Sequence, residues 1–194
     1  MSIYEGSRWP KKRWVAIFSQ TGNEIADIIE TIKIRPDLIL TNNPNPETIT
    51  DRLEDRWKYY NKGSIEETLG YEQDVCGDRL LVTLHGYLRL ITPATIQKGV
   101  KILNGHPADI ETYPELKGKD PQEKTWTDIE KYDTLGSVIH IVNEGVDEGN
   151  VVAKYVVDKD DQIESKDDVY KVLRSTSLNC WTQFFTMDGE NSII

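Results

Sequence analysis

Short apolar runs alternate with segments of helical periodicity along this chain, and this order constrains its fold more than any other feature. The run "RWVAIFS" is followed by "IADIIETIKI", which carries isoleucines at helical spacing: Ile25, Ile28, Ile29 and Ile32. The same order recurs in "PDLILTNN" before "PETITDRLEDRWKYY" and in "RLLVTLHGY" before "TPATIQKG". Strands that alternate with helices predict an α/β fold with a doubly wound, mostly parallel sheet.

The second half of the chain continues this pattern but adds two strands in direct succession. We expect a strand in "VKILNGHP", a helix in "DPQEKTWTDIEKYD", strands in "LGSVIHIVNEG" and "NVVAKYVVD", and a closing helix in "SKDDVYKVLRSTSLNCWTQFF". The successive strands leave room for antiparallel pairing late in the sheet. The stretch "NKGSIEETLGYEQDVCGD" is poorly patterned and predicts no element. A chain of 194 residues is the size of one domain, so we predict a single domain over 1–194.

Charge and composition exclude several classes of protein. A net charge of −10 opposes binding to the phosphate backbone, so we expect no nucleic-acid partner. No apolar run approaches the roughly 18 residues that span a bilayer, so we expect no membrane association. Cys76 and Cys180 lie far apart, which indicates neither a disulfide framework nor a metal site. These features, with no signal-peptide pattern at the start, favour a cytoplasmic location.

The ends of the predicted strands are where a ligand would bind in a doubly wound sheet. Four strands end in polar or glycine-containing stretches: "SQTG", "TNN", "LHGY" and "LNGHP". In the last of these, Asn104 and His106 point to one side of an extended segment, and Pro107 keeps His106 out of helical conformation. An amide beside an imidazole suits acyl chemistry, but a histidine at a strand end also commonly caps a backbone group.

A second segment supplies a carboxylate for this pair. "GSVIHIVNEGVDEGNVV" contains two apolar runs joined by an acidic, glycine-flanked loop that carries Asp147. A carboxylate beside His106 would favour the imidazolium form and fix the orientation of the ring. A solvated acidic turn is the alternative interpretation of this loop.

Three blocks together, "LLVTLHGYLRLITP", "VKILNGHPADIETYP" and "GSVIHIVNEGVDEGNVVAKYVV", resemble the core of the 10-formyltetrahydrofolate-dependent formyltransferases. The resemblance is greatest to the glycinamide ribonucleotide formyltransferase type and runs from about residue 13 to residue 155. It implies a Rossmann-like formyltransferase fold, 10-formyltetrahydrofolate as cosubstrate, a small primary amine as acceptor, and no metal. It also implies that the catalytic residues are Asn104, His106 and Asp147.

The same resemblance implies which residues bind the two substrates. The folate pocket would be walled on one side by Leu88, Arg89, Leu90 and Ile91, and on the other by Val142, Asn143 and Glu144. The acceptor would be bound by Gly22, Asn23 and Tyr87. His85 and His140 are expected to be structural rather than catalytic.

Departures from the family pattern concern the acceptor. A glycine-rich turn that cradles a phosphate in the family is replaced by "SQTGNE", where Glu24 adds a negative charge at the start of a helix. Asp109 and Glu111 are expected to add further charge near the cleft. The family's phosphate-binding arginine has no secure counterpart, and the candidates for a phosphate partner are Arg52, Arg56, Arg79, Lys117 and Lys119. We therefore expect the acceptor to be an amine other than ordinary glycinamide ribonucleotide.

Three alternatives stay open at this point. "GKDP" followed by Trp126 and the acidic loop also resembles formyltransferases that act on an amino sugar of a nucleotide. A 10-formyltetrahydrofolate hydrolase would share the same three catalytic residues. A relative that binds folate or a partner without turnover is the non-enzymatic alternative.

Overall fold

A seven-stranded sheet forms the centre of the molecule. A computed structural model of the chain describes residues 12–160 and 163–186. The strands are β1 (Arg13–Phe18), β2 (Leu38–Thr41), β3 (Lys58–Tyr59), β4 (Leu80–His85), β5 (Ile102–His106), β6 (Thr134–Ile141) and β7 (Val151–Asp158). The helices are α1 (Asn23–Ile32), α2 (Lys62–Cys76), α3 (Pro93–Gln97), α4 (Pro121–Thr127) and α5 (Lys166–Thr186).

The order of the strands places several carboxyl ends at one edge of the sheet. The order is β3-β2-β1-β4-β5-β6-β7, in which β3, β2, β1, β4 and β5 run parallel. β6 runs antiparallel to both β5 and β7. The predicted α/β fold with a mostly parallel sheet and a reversed strand near its end is therefore confirmed.

Helices cover the two faces of the sheet, and each face has its own apolar core. On one face, α1 and α5 pack against alternate residues of the strands, among them Trp14, Phe18 and Leu103. On the other face, α2 and α3 pack against Val15, Ile17, Leu84 and Ile102. Because side chains alternate along β5, Asn104 and His106 share the α2 face, and Gly105 faces α5.

The helix predicted in "PETITDRLEDRWKYY" is wrong. This segment forms two short 3₁₀ turns, Pro46–Thr48 and Asp51–Leu53, and then the edge strand β3. Glu54 and Asp55 both have positive φ angles, 55° and 53°, which end any helix at this point. Leu53 is fully buried and packs beside Gly22.

The poorly patterned stretch after it forms the longest helix of the first half of the chain, α2. Its buried positions follow helical spacing, Ile65, Leu69 and Glu72, but one of them is charged. Glu72 is buried because its carboxylate accepts two hydrogen bonds of 3.1 Å from the guanidinium of Arg13. A paired glutamate on the buried face hides the apolar periodicity on which the sequence prediction depended.

Candidate active site

Asn104 and His106 lie on the same face at the carboxyl end of β5, as their spacing predicts. The neighbouring strand β6 is antiparallel, so its residues oppose β5 directly: Asn104 faces His140 and His106 faces Val138 in the register. His106 is 4% exposed, and Asn104 is half-buried. The reversal of β6 therefore brings a second histidine next to the predicted pair.

Asp147 reaches these side chains from the loop between β6 and β7. Its Oδ2 lies 3.2 Å from His106 Nδ1, and its Oδ1 lies 3.2 Å from His140 Nε2 and 3.4 Å from Asn104 Nδ2. The Gly118 amide donates to Oδ2 at 2.9 Å. The loop turns tightly to do this: Asp147 has a φ of 53°, and a Cβ at Gly149 would lie 1.6 Å from the Ile141 carbonyl oxygen. The structure thus gathers the three predicted catalytic residues in one cluster.

The imidazole of His106 has a hydrogen-bond acceptor at each nitrogen. Nδ1 faces the Asp147 carboxylate, and Nε2 lies 3.0 Å from the Leu116 carbonyl oxygen. Neither oxygen can donate, so the ring satisfies both contacts only when each nitrogen carries a proton. The arrangement therefore offers an acceptor both to an Nδ1 proton and to an Nε2 proton of His106.

The carboxylate of Asp147 is held in its charged form. Burial by itself raises the pKa of Asp147, but hydrogen bonds from His106 and His140, the charge on His106 and the Gly118 amide together outweigh it. The net result is a pKa well below the ordinary range of an aspartate. A charged carboxylate at this position accepts hydrogen bonds from both imidazole rings.

This lowered pKa predicts how stability depends on pH. Because the pKa of Asp147 is lower in the folded than in the unfolded protein, its ionisation adds to the free energy of unfolding. This contribution is complete above the pKa of an unfolded aspartate, about 3.9, and is lost as the pH falls from there toward the pKa in the folded protein. In denaturant unfolding, the contribution of this carboxylate to the free energy of unfolding of wild type, relative to Asp147→Asn, should be complete at about pH 5. Below about pH 4 the difference should shrink by up to about 1.4 kcal/mol per pH unit. A difference that stays constant down to pH 3 would contradict the assignment.

His140 is the residue of the cluster whose position sequence reasoning did not anticipate. It was expected to be structural, yet its Nε2 lies 3.2 Å from Asp147 and 3.1 Å from Asn104 Nδ2, while its Nδ1 faces the Ile141 carbonyl oxygen at 3.1 Å. Its contact with Asp147 is as close as that of His106. Its place opposite Asn104 depends on the antiparallel register of β6, which the apolar pattern does not reveal.

The residues expected to bind folate divide into exposed and buried ones. Leu88 and Leu90 are 64% and 66% exposed, and Arg89 is exposed as well. Ile91 is buried in the α2-side core, and Val142 packs against that core. Exposed apolar side chains of this kind commonly mark a binding surface.

On the opposite side of the expected folate pocket, Asn143 and Glu144 are both exposed. Asn143 Oδ1 accepts a hydrogen bond from the Gly145 amide at 3.1 Å, and Glu144 accepts one from Gln97 at 3.4 Å. Their roles in folate binding stay predictions.

Two of the three residues expected to bind the acceptor have structural roles. Gly22 caps α1 with a φ of 72°, and a Cβ there would lie 2.7 Å from Leu53. The Asn23 side chain donates to Thr21 Oγ1 at 2.8 Å and accepts from Arg52 at 3.0 Å. Neither observation tests acceptor binding, but both show what these residues already contact.

The third, Tyr87, is 8% exposed, and among residues 12–160 and 163–186 its hydroxyl has no hydrogen-bond partner. Burial, with a smaller contribution from Glu66, raises the pKa of Tyr87 to about 12, although Arg89 acts in the opposite direction. A buried hydroxyl without a partner costs free energy, so Tyr87→Phe should leave the free energy of unfolding unchanged or raise it by up to about 1 kcal/mol.

Tyr113→Phe is the matched control for denaturant unfolding of this variant, because the Tyr113 hydroxyl contacts Thr134 Oγ1 and the Asp133 amide, both at 3.3 Å. It should lose about 0.5 to 1.5 kcal/mol. A larger loss in Tyr87→Phe than in Tyr113→Phe would show that the Tyr87 hydroxyl has a stabilising partner.

Glu24, in the first turn of α1, joins three elements. Its carboxylate accepts hydrogen bonds from His85 Nδ1 at 2.8 Å and from Ser177 of α5 at 2.5 Å. His85 Nε2 contacts Thr83 Oγ1 at 2.8 Å, and Thr83 accepts from the Trp14 indole at 2.8 Å. His85 therefore has a partner at each ring nitrogen on the α5 face, away from Asp147, and its expected structural role stays a prediction.

The acidic residues after His106 differ from expectation. Asp109 is 2% exposed and pairs with Lys154 at 3.0 Å, and Glu111 pairs with the same lysine at 3.6 Å. Hydrogen bonds from Thr112 and Lys154 hold the pKa of Asp109 below its ordinary value although burial, the largest influence, raises it. Lys154 on β7 thus compensates one of the two negative charges that these carboxylates were expected to add near the cleft.

The basic residues considered as phosphate partners are engaged or exposed. Arg52 binds Asp27 at 2.7 Å and Glu30 at 3.3 Å, and Arg56 lies 3.5 Å from Glu54. Lys119 is 90% exposed and pairs with Asp120. Arg79 lies in the 3₁₀ turn before β4, at the amino end of that strand, and Lys117 is half-buried. Arg52 is therefore tied to α1 and is not free to receive a ligand in this arrangement.

Over residues 12–160 and 163–186, no group of His, Cys, Asp or Glu side chains that could hold a metal ion is found. Within the same residues, no helix has the length and hydropathy needed to cross a membrane.

A doubly wound sheet with an amide and an imidazole at one strand end, and a carboxylate on a neighbouring loop, is typical of the class of α/β proteins that bind small ligands at this edge. Within that class, residues 13–181 match the family model described as formyl transferase. The chain therefore belongs to the formyl transferase family. The resemblance stated from the three sequence blocks is confirmed.

Curated relatives in this family are phosphoribosylglycinamide formyltransferases. That of Bacillus subtilis (strain 168) is 29% identical over 104 residues, which cover 53% of this chain and 50% of that protein. That of Haemophilus influenzae is 33% identical over 114 residues, which cover 56% of this chain and 50% of that protein. The matched part thus spans about half the length of these relatives.

Solved structures agree over more of the chain. The phosphoribosylglycinamide formyltransferase of Streptococcus pneumoniae TIGR4 superposes with a TM-score of 0.71 at 20% identity, covering 90% of this chain and 96% of that one. Glycinamide ribonucleotide transformylase 1 of Geobacillus kaustophilus gives 0.71 at 22% identity, covering 89% and 96%. At these identities the likeness establishes the fold.

Proposed function

We propose that this protein transfers a formyl group from 10-formyltetrahydrofolate to a primary amine other than ordinary glycinamide ribonucleotide. The observation that carries the proposal is the cluster in which His106, His140 and Asn104 all surround the Asp147 carboxylate. Family membership supports formyl transfer, and the geometry supports the roles of these residues. We also propose that residues 1–194 act as one catalytic domain in the cytoplasm, which the free thiols of Cys76 and Cys180 suit.

The proposed reaction proceeds through a tetrahedral intermediate. The acceptor amine attacks the formyl carbon, and the formyl oxygen becomes an oxyanion. The imidazolium of His106 and the amide of Asn104 donate hydrogen bonds to that oxygen. Collapse of the intermediate breaks the bond to the folate nitrogen, which takes up a proton as the amine loses one. Asp147 keeps His106 protonated and assists the proton transfer.

The present contacts show what must change for this step. His106 Nε2 is bonded to the Leu116 carbonyl, and Asn104 Nδ2 faces His140 and Asp147. For Nε2 to reach a substrate oxygen, that oxygen has to take the place of the Leu116 carbonyl. The Leu116 carbonyl therefore has to move away from His106 Nε2 when substrate binds.

Glu24 supports the proposal about the acceptor. Its carboxylate lies in the first turn of α1 and is fixed there by His85 and Ser177. The amino terminus of a helix favours an anion, and here the protein supplies its own. Arg52, a candidate phosphate partner, is bound by Asp27. An acceptor with a phosphate at this position would meet a fixed negative charge, whereas an amine on an unphosphorylated or hydroxyl-rich group would not.

A screen of primary amines with 10-formyltetrahydrofolate tests this function. Mass spectrometry should find one acceptor that gains a formyl group in an enzyme-dependent manner, with tetrahydrofolate as the second product. Amino sugars attached to nucleotides belong in the panel, since they are the acceptors of the alternative assignment. Release of formate without any acceptor would indicate the hydrolase instead. Folate binding by calorimetry without turnover of any kind would indicate the non-catalytic relative.

A further inference from the structure

The middle residue of the proposed catalytic segment lies against an aromatic side chain on the other face of the sheet. Gly105 separates Asn104 from His106 and faces α5. A Cβ added at Gly105 would lie 2.7 Å from Nε1 of Trp181, and 3.1 Å from its Cε2 and Cζ2 atoms. The indole therefore occupies the volume that a side chain at position 105 would take, and the backbone of β5 rests directly on it.

Trp181 is held in place by other rings. It is fully buried and stacks on Phe185, with 5.5 Å between the ring centroids and an interplanar angle of 20°. The centroid of the His85 ring lies 4.7 Å from that of Trp181. Phe185 in turn lies 4.6 Å from Trp14. We call Trp14, Phe185, Trp181 and His85 the aromatic column. Since Glu24 and Thr83 fix the His85 end, the indole has little room to move away from Gly105.

The indole acts on Gly105 through contact and not through a hydrogen bond. Among residues 12–160 and 163–186, its Nε1 is buried without a hydrogen-bond partner. The part of Trp181 that faces β5 is thus a rigid surface. The position of the indole limits how closely β5 can approach α5.

We propose that Trp181 is a positioning residue for catalysis: its indole sets the depth of Gly105, and through it the distance of Asn104 and His106 from Asp147. This proposal rests on the proposed function. Because neighbouring side chains on a strand point to opposite faces, displacing Gly105 from the indole carries both side chains in the same direction. The contacts of 3.2 Å and 3.4 Å to Asp147 are at the long end of hydrogen-bonding range, so a shift well below 1 Å weakens them.

Gly105→Ala tests the proposal by forcing the strand and the indole apart. We expect kcat to fall roughly 10- to 100-fold, since a misplacement near 1 Å can cost about 10² in rate, with the Kd for the folate changed less than about twofold. Trp181→Phe removes the indole nitrogen and shortens the ring. The double variant Gly105→Ala with Trp181→Phe should therefore recover at least about tenfold of the lost kcat relative to Gly105→Ala alone.

Two controls separate positioning from loss of stability. Phe184→Leu perturbs the same cluster, because Phe184 lies 5.9 Å from Trp181, without removing the surface beneath Gly105. Gly63→Ala adds a methyl group in α2, where the nearest atom is 3.4 Å away. Both should keep kcat within about twofold of wild type. Equal losses of kcat in Phe184→Leu and Gly105→Ala, at matched midpoints of unfolding, would overturn the proposal.

Nuclear magnetic resonance of the His106 ring gives a readout that does not need turnover. The Nδ1 proton shared with Asp147 should shift in Gly105→Ala, shift back in the double variant, and stay unchanged in Phe184→Leu. If wild type transfers no formyl group but these shifts occur, the proposed function fails and the positioning role stands. If Gly105→Ala does not fold, Trp181→Phe alone should move the same resonance; an unmoved resonance would refute the role.

Discussion

His106→Ala and Asp147→Asn are each expected to leave a folded protein whose rate of formyl transfer is about 10² to 10³ times lower than that of wild type. Alanine removes the imidazolium that faces both Asp147 and the proposed site of the oxyanion. Asparagine removes the charge that holds the imidazolium. The Asp147 carboxylate now accepts from donors on His106, His140, Asn104 and Gly118. An asparagine has one oxygen and one NH₂ group in place of two oxygens, so its NH₂ group would face at least one of these donors.

The measurement is kcat with saturating folate and acceptor, after thermal unfolding has shown that each variant is folded. Glu148→Gln is the matched control, because it removes a neighbouring, exposed carboxylate from the same loop. It should retain wild-type activity within about twofold, as surface substitutions usually do. Near-normal turnover in either His106→Ala or Asp147→Asn would remove that residue from the mechanism.

Wild-type protein is expected to use glycinamide ribonucleotide poorly, with a kcat/KM below the ordinary enzyme range of about 10⁴ M⁻¹s⁻¹. The physical reason is the Glu24 carboxylate, which already accepts the hydrogen bonds of His85 and Ser177 at the start of α1. Glu24→Ala would free both donors and remove the like charge. The ratio of kcat/KM for a phosphorylated acceptor to that for an unphosphorylated one should then rise about tenfold or more, since like charges brought together cost several kcal/mol.

Steady-state kinetics with matched pairs of acceptors, with and without the phosphate, measure this ratio directly. Glu30→Gln is a suitable control, because Glu30 lies on the same helix but is exposed and contacts Arg52. It should leave the ratio unchanged. A wild-type kcat/KM with glycinamide ribonucleotide at or above about 10⁴ M⁻¹s⁻¹ would show that Glu24 does not exclude the phosphate.

Local sequence was sufficient to place part of this site. The strand that ends in "LNGHP" puts Asn104 and His106 on one face through simple alternation, and Pro107 ends the strand at His106. The partnership with Asp147 came from the resemblance to a family, since nothing in the loop itself says which residue it approaches. The structure brings these three residues together without settling their roles.

What sequence reasoning missed depends on contacts between distant residues. His140 joins the cluster only because β6 is reversed and in a particular register with β5. Asp109 is neutralised by Lys154, which is 45 positions later in the chain and whose approach no local pattern indicates. α2 was missed for a similar reason, because Glu72 on its buried face is compensated by Arg13 on β1.

The reversal of β6 also decides how the site can come apart. The contacts of Asp147 with His106, His140 and Asn104 depend on a three-stranded meander of β5, β6 and β7, because the loop that carries Asp147 joins β6 to β7. β7 is the outer strand of this meander and has a neighbour on one side only. Partial opening from that edge would therefore dismantle the acid–base cluster while β1, β2 and β4 stay paired. We therefore expect activity to be lost on heating when β7 opens locally, before the parallel part of the sheet unfolds.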